Sequence, residues 1–242
     1  MKTDDLFKDP HFMSEGFSFD HNVAEVFDNM AARSIPQYVE IQKMIVALAC
    51  DYALPSSVIY DLGCSTGATL ERLVKHCEIQ DVRYVGIDLS QEMLTLARQK
   101  LASLNAPITL KQQDLSDPVM IDNGSVVILN LVLQFLPYST RESLLQSIFQ
   151  SLRPRGIVII VEKIIPEYET HRESFASIYH HYKAQNGYTK EEIQNKSQSL
   201  QNRLLPLGIN QNIERLKKSG FSEVETFFQW FNFVGIVAHK NK

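Results

Sequence analysis

Apolar residues follow two rhythms along this chain. From Asn22 to Tyr52 the spacing is helical: Val23, Val26, Phe27 and Met30 form one stripe, and after Pro36 a second stripe runs through Ile41, Met44, Ile45, Leu48 and Ala49. Two helices are therefore predicted ahead of the first strand. Short β-branched runs then alternate with polar turns and helical patterns, at Val58 to Leu62, Val82 to Asp88 and Ile108 to Asp114. Such alternation predicts a parallel sheet covered by helices on both faces. The run Ser125 to Leu131 is nearly all apolar, as a central strand buried on both sides should be. Ser139 and Glu142 have capping-box spacing ahead of Leu144, Leu145, Ile148, Phe149 and Leu152, which predicts a helix there. Arg153-Pro154-Arg155-Gly156 is expected to end it before a fifth strand, Ile157 to Glu162.

The flanks read differently. Residues 1 to 20 carry polar and turn residues with scattered phenylalanines, suggesting an arm or lid. Between Ile164 and Pro206 the segments are long, polar and helical, interrupted at Asn186-Gly187-Tyr188, and are expected to form an insertion over one sheet edge. A short helix near Ile213 to Lys218 precedes two apolar runs, Val224 to Phe228 and Phe231 to His239. Their closeness forces an antiparallel pair, because a parallel crossover needs about a dozen residues or more. The expected fold is α/β and Rossmann-like: a mostly parallel seven-stranded sheet with one antiparallel C-terminal strand. It is one domain, read as arm and helices (1–56), core (57–162), helical insertion (163–206) and C-terminal helix with strand pair (207–242).

With 242 residues, 44% of them hydrophobic, the chain can bury a full core. Its 24 basic and 28 acidic residues give a net charge of -4, which offers a phosphate backbone no overall attraction. The last third is mildly basic, too weakly to mark an RNA-binding face. Cys50, Cys64 and Cys77 have no spacing that would gather thiolates on a metal, and a reducing cytoplasm suits them. The longest apolar stretch, Val126 to Leu136, contains Asn130 and Gln134 and is too short to span a bilayer. The chain begins with acids instead of a signal core, so neither membrane nor export is expected.

In an open parallel sheet, ligands bind beyond the carboxyl ends of the strands where strand order reverses. The candidate strand ends are polar here. The first leads into Gly63-Cys64-Ser65-Thr66-Gly67, where small residues admit a ligand to the backbone and a helix N-terminus offers free N–H groups. The second ends in Asp88, placed to accept from two ribose hydroxyls. The third ends in Asp114-Leu115, suited to an exocyclic amino group and a ring nitrogen, and the fourth carries Asn130. These positions predict a bound nucleoside.

Structural roles compete with each of these. Asp88 could cap the next helix, Asp114 could form a turn, and Asn130 could satisfy buried backbone. Gly63 to Gly67 also matches the nucleophile elbow of hydrolases with Ser65 as nucleophile, but the region before Val58 lacks the strands that elbow requires. A dinucleotide is disfavoured because the third glycine of its fingerprint is missing. Cys64 reads as a packing residue. His180 and His181 point about 100° apart on a helix and make no metal face.

The run Val58 to Gly67, followed by Asp88 and Asp114, resembles the class I methyltransferase superfamily, in which these positions hold S-adenosylmethionine. A finer resemblance covers nearly the whole chain. Asn22 to Phe27, Arg33 to Tyr38, Tyr60 to Ser65, Gln134 to Pro137, Glu162-Lys163, Asn186 to Tyr188 and Trp230 to Phe233 are similar to the carboxy-S-adenosylmethionine synthase family. That resemblance implies conversion of S-adenosylmethionine and prephenate to carboxy-S-adenosylmethionine and phenylpyruvate, the product then serving tRNA wobble-uridine modification by a separate enzyme. It also implies a homodimer. By position, Tyr38, Gly63, Cys64, Ser65, Asp88, Leu89, Asp114, Leu115 and Asn130 would contact the cofactor, S-adenosylmethionine or its carboxylated derivative. The family's arginine for the added carboxylate aligns with Ser197, which cannot supply a charged bidentate clamp. The alternative is a methyltransferase acting on a small molecule.

Overall fold

The computed structural model describes residues 2–8 and 17–241, so the arm expected over residues 1 to 20 lies partly outside the described residues. The chain enters through a 3-10 turn, Leu6–Lys8, and two helices, α1 (His21–Ser34) and α2 (Tyr38–Tyr52). Asp20 starts α1 by accepting from the Val23 N–H at 3.0 Å, satisfying one of the free donors of the first turn. The apolar stripe of α1 closes a small core with Phe7 and Met93, while Ile41, Ile45 and Ala49 of α2 pack on the sheet.

Strands and helices then alternate: β1 (Val58–Leu62), α3 (Ala68–His76), β2 (Arg83–Asp88), α4 (Gln91–Leu101), β3 (Ile108–Gln112), β4 (Gly124–Asn130), α5 (Tyr138–Ser151) and β5 (Leu152–Lys163). The insertion contributes α6 (Glu169–Gln185) and α7 (Lys190–Ser199), and the chain closes with α8 (Ile209–Lys218), β6 (Glu223–Trp230) and β7 (Phe233–His239). The seven strands form one sheet in the order β3-β2-β1-β4-β5-β7-β6. β7 runs antiparallel to both neighbours, β5 and β6.

The sheet's two faces follow directly from side-chain alternation. Ile59, Val126, Ile128, Ile157 and Ile159 face α2, α3 and α4, whereas Tyr60, Val127, Leu129, Val158 and Ile160 face α5 and α8. Each such aliphatic side chain contributes roughly 1.5–3 kcal/mol when fully buried. β1 and β4 lie at the reversal of strand order, with β2 on one side and β5 on the other. Their carboxyl ends form the cleft where ligands bind in this architecture.

Two local expectations need correction and a third needs extending. α5 starts at Tyr138 with Pro137 at its N-cap and no side-chain cap, so Ser139 and Glu142 form no capping box: proline already sets the entry and begins the helix two residues earlier. Arg153 to Gly156 is extended and belongs to β5, with Arg155 in the left-handed region (φ 67°) and its N–H bonded to Lys240 O, so the segment forms a kinked strand start instead of a helix stop. The insertion meets the β6 edge, where Tyr179 and Tyr182 of α6 pack against Trp230, and reaches further than that edge, over the carboxyl ends of the strands: Tyr179 also packs against Phe233 at the start of β7 and against Lys163 at the end of β5.

Candidate active site

The loop after β1 is shaped by backbone that few side chains tolerate. Gly63 has φ 76°, and a Cβ there would meet Val132 Cγ2 at 2.5 Å. The loop is tied down on two sides. Gly63 and Cys64 both donate to Ile87 O, at 2.7 and 3.0 Å. Thr66 Oγ1 donates to Asp28 of α1 at 2.6 Å, and Lys100 of α4 bonds both Asp28 (2.7 Å) and Thr66 (2.9 Å).

Asp88 stands across from this loop at the end of β2. One carboxylate oxygen accepts from Ser65 N at 2.8 Å and the other from Ser90 N at 2.9 Å, leaving each with capacity for a further donor. The helix cap is Ser90, whose Oγ accepts from Met93 N, so Asp88 is not spent on that task. Burial raises its pKa, opposed by the N–H groups of Ser90, Ser65 and Leu89. Beneath it lies Asp61 of β1, buried, with Oδ2 unpartnered and its pKa pushed up to about 7 by burial and by Asp88. Burial also pushes the Cys64 thiol well up, which suits packing and not nucleophilic attack.

A cavity of about 710 Å³ opens over these strand ends and brings together Tyr38, Gly63, Cys64, Ser65, Asp88, Leu89, Asp114, Leu115 and Asn130. Asp114 does form a turn, accepting from Ser116 N at 2.8 Å, and also lines the cavity. Asn130 Oδ1 is buried without a partner, an arrangement that costs about 1–3 kcal/mol unless a donor from the cavity supplies it. Leu131 then adopts φ 62° and turns the chain so that Val132 and Leu133 donate to Glu162 Oε1 at 3.2 and 3.0 Å. Glu162 is fully buried, its pKa raised to about 8 by burial although Arg141 and these N–H groups oppose the shift.

Ser197 does not take the place expected of it. It lies exposed on α7 and does not line the cavity, because its neighbour Lys196 occupies the inward face and successive helical residues diverge by about 100°. Lys196 and Arg203 line the cavity instead, joined by Lys163 from the end of β5. Lys196 bonds Ser34 Oγ at 2.8 Å and pairs with Asp4 at 3.7 Å. The arm also contacts the insertion through Asn195, which donates to Phe7 O at 2.8 Å, and through Phe17 N, which donates to Ser199 O at 3.0 Å.

Sequence reasoning passed over Asp61, a carboxylate inside an apolar strand, which was a usable signal. It also passed over the cavity position of Lys163, which the strand-end rule applied to β5 would have found. The Asp28–Thr66–Lys100 tether had no sequence signal, since its members are 38 and 34 residues apart. A hydrolytic serine finds no support: Ser65 Oγ has only a 3.5 Å contact with Gly63 O, and among the described residues no histidine lines the cavity. His180 and His181 are exposed on α6.

Residues 59–156 match the methyltransferase-domain family. Human N-acetylserotonin methyltransferase, solved in complex with S-adenosylmethionine, superposes with a TM-score of 0.61 at 14% identity, covering 100% of this chain and 61% of that one, which is a likeness of fold. Two full-length relatives are much nearer in sequence. The carboxy-S-adenosyl-L-methionine synthase of Methylococcus capsulatus is 40% identical over 99% of this chain and 100% of its own. That of Desulfotalea psychrophila is 40% identical over 99% and 98%. With such identity running from end to end, the chain belongs to the carboxy-S-adenosyl-L-methionine synthase family.

Proposed function

We propose that the protein converts S-adenosylmethionine to carboxy-S-adenosylmethionine, taking the carboxyl group from prephenate and releasing phenylpyruvate. The observation that carries this reading is one cavity with two unlike walls. One is the strand-end wall of Gly63, Asp88, Asp114 and Asn130, suited to a nucleoside; the other is the cationic wall of Lys163, Lys196 and Arg203, suited to an acid. At about 710 Å³ the space lies within the ordinary range for a small-molecule site.

In this reading Asp88 accepts from the two ribose hydroxyls, and Asp114 and the Leu115 N–H meet the base edge. Leu89, 62% exposed at the rim, covers the base. Tyr38, Asn130 and the loop Gly63 to Ser65 surround the sulfonium end. The reaction balances without an external oxidant. The ring carboxylate of the donor leaves as carbon dioxide and its ring hydroxyl as hydroxide, forming the aromatic ring of phenylpyruvate. The hydroxide takes a proton from the S-methyl carbon and becomes water. The resulting sulfonium ylide carbon bonds to carbon dioxide.

Mass spectrometry of the ligand that copurifies with the protein tests the reading. A nucleoside heavier than S-adenosylmethionine by one carbon dioxide is expected. Plain S-adenosylhomocysteine would point to methyl transfer instead.

A further inference from the structure

Helix α6 hides an unexpected residue. Of its 17 residues the one buried side chain is Lys183, only 5% exposed. Its Nζ lies 4.4 Å from the centroid of the Tyr179 ring, and Nζ of Lys163 lies 4.9 Å from the same centroid. Lysine is almost never buried unless a carboxylate or an equivalent acceptor comes with it. Among the described residues no Asp or Glu pairs with either ammonium group, whereas Lys196 has Asp4. The other charges acting on Lys183 have its own sign, Lys163 and Lys196, and burial together with these cations pulls it down to about 7. A cation–π contact contributes about 0.5–2 kcal/mol. A buried, unpaired charge costs several kcal/mol. The shared aromatic ring therefore leaves the pair short of a counter-ion. Lys163 and Tyr179 line the cavity whereas Lys183 lies outside its lining, so a counter-ion enters from the cavity at Lys163 and reaches Lys183 beside the ring they share.

We infer that Lys163 and Lys183, set around Tyr179, seat the carboxylate that the donor acid keeps, a 2-oxo-acid carboxylate, and not the carboxyl group that departs. The identity of the acid rests on the reaction proposed above; the seat itself rests on the placement of the two lysines. A cation held against the departing carboxylate would stabilise the ground state and lose its partner as neutral carbon dioxide forms, which raises the barrier. The retained carboxylate keeps its charge throughout, and gripping it orients the reacting ring without that penalty. Two ammonium groups can each donate a charge-assisted hydrogen bond to it.

Phenylpyruvate carries the retained carboxylate and lacks the departing one, so it isolates the seat. It is titrated calorimetrically into the full chain saturated with S-adenosylhomocysteine. Lys163→Met and Lys183→Met are each expected to weaken its binding about tenfold to a hundredfold, the loss of one charged hydrogen bond. Lys183→Arg, which keeps the charge, should stay within about threefold, a rescue that a purely structural role for the side chain would not give. Affinity for S-adenosylhomocysteine should hold within about twofold in every variant. Methionine matches the lysine stem and removes a buried charge, so folding is not at risk. Phenylpyruvate affinity unchanged in both methionine variants, or no binding to the unaltered protein at millimolar concentration, overturns the inference. A parallel fall in S-adenosylhomocysteine affinity also overturns it, assigning the lysines to the nucleoside's amino-acid carboxylate. Lysine-dependent phenylpyruvate binding in a protein that makes no carboxylated product would sink the proposed reaction and uphold the seat.

Discussion

Asp88 and Asn130 show what a single side chain reveals once its partners are known. Asp88 spends one lone pair of each oxygen on the Ser65 and Ser90 N–H groups, which aims the rest of the carboxylate into the cavity. Asn130 offers an oxygen with no partner at all. Asp88→Ala should weaken S-adenosylmethionine binding about a hundredfold or more, since two hydrogen bonds to a charged acceptor are lost, each contributing about 1.5–3 kcal/mol. The melting temperature should fall only modestly, because Ser90 still caps α4. Equilibrium dialysis and thermal unfolding check both halves, and unchanged affinity would refute the ribose role. At this scale the strand-end positions were legible in the sequence because polar residues follow apolar runs at Asp88, Asp114 and Asn130, where a ligand binds in this architecture, even though Asp114 also forms a turn. The direction of Ser197 was legible too: by helical spacing it points about 100° away from Lys196, which falls on one face with Arg203, and the structure has Ser197 exposed while those two line the cavity.

Among the elements, the turn after β4 is the hinge of the site. Leu131, held at φ 62°, directs two N–H groups onto Glu162 of β5, and Arg141 of α5 fastens the same region by donating to Leu136 O (3.0 Å) and Leu205 O (2.7 Å). The pKa of Glu162 is raised from 4.5 to about 8 in the fold, so the stability tied to its neutral form is full below pH 4.5 and is lost as pH rises to about 8. Glu162→Gln keeps the acceptor oxygen and removes the titration. The melting-temperature difference between variant and parent should therefore grow in the variant's favour from pH 4.5 to 8, then level off; a constant difference would show that Glu162 stays ionised throughout. Element type and order were readable from periodicity: the parallel core, the two leading helices, and the antiparallel last strand. The caps and joints were not. Pro137 displaced the capping box, and β5 absorbed Arg153 to Gly156, because pairing with a neighbouring segment outweighs a local turn preference.

On the scale of the whole molecule, charge is distributed with a purpose that composition conceals. The net charge of -4 says little, and the mild basic excess after Glu162 looked too weak for a surface that grips RNA. Two of those basic residues, Lys163 and Lys196, line the cavity, and Lys183 is buried on the Tyr179 ring that it shares with Lys163; burial pulls the pKa of all three down. Folding lowers the pKa of Lys183 from 10.5 to about 7. For a depressed base the associated stability is present above pH 10.5 and is lost as pH falls to about 7. Lys183→Met should thus gain melting temperature over the parent progressively as pH falls from 10.5 to 7, a trend that thermal unfolding at several pH values would reveal or exclude.

If the nucleoside wall and the cationic wall serve one carboxyl-transfer reaction, incubating the protein with S-adenosylmethionine and prephenate and following both products by mass spectrometry will reveal it. Carboxy-S-adenosylmethionine and phenylpyruvate should appear in equal amounts. Phenylpyruvate without the carboxylated nucleoside, or neither product while S-adenosylmethionine still binds, would contradict it.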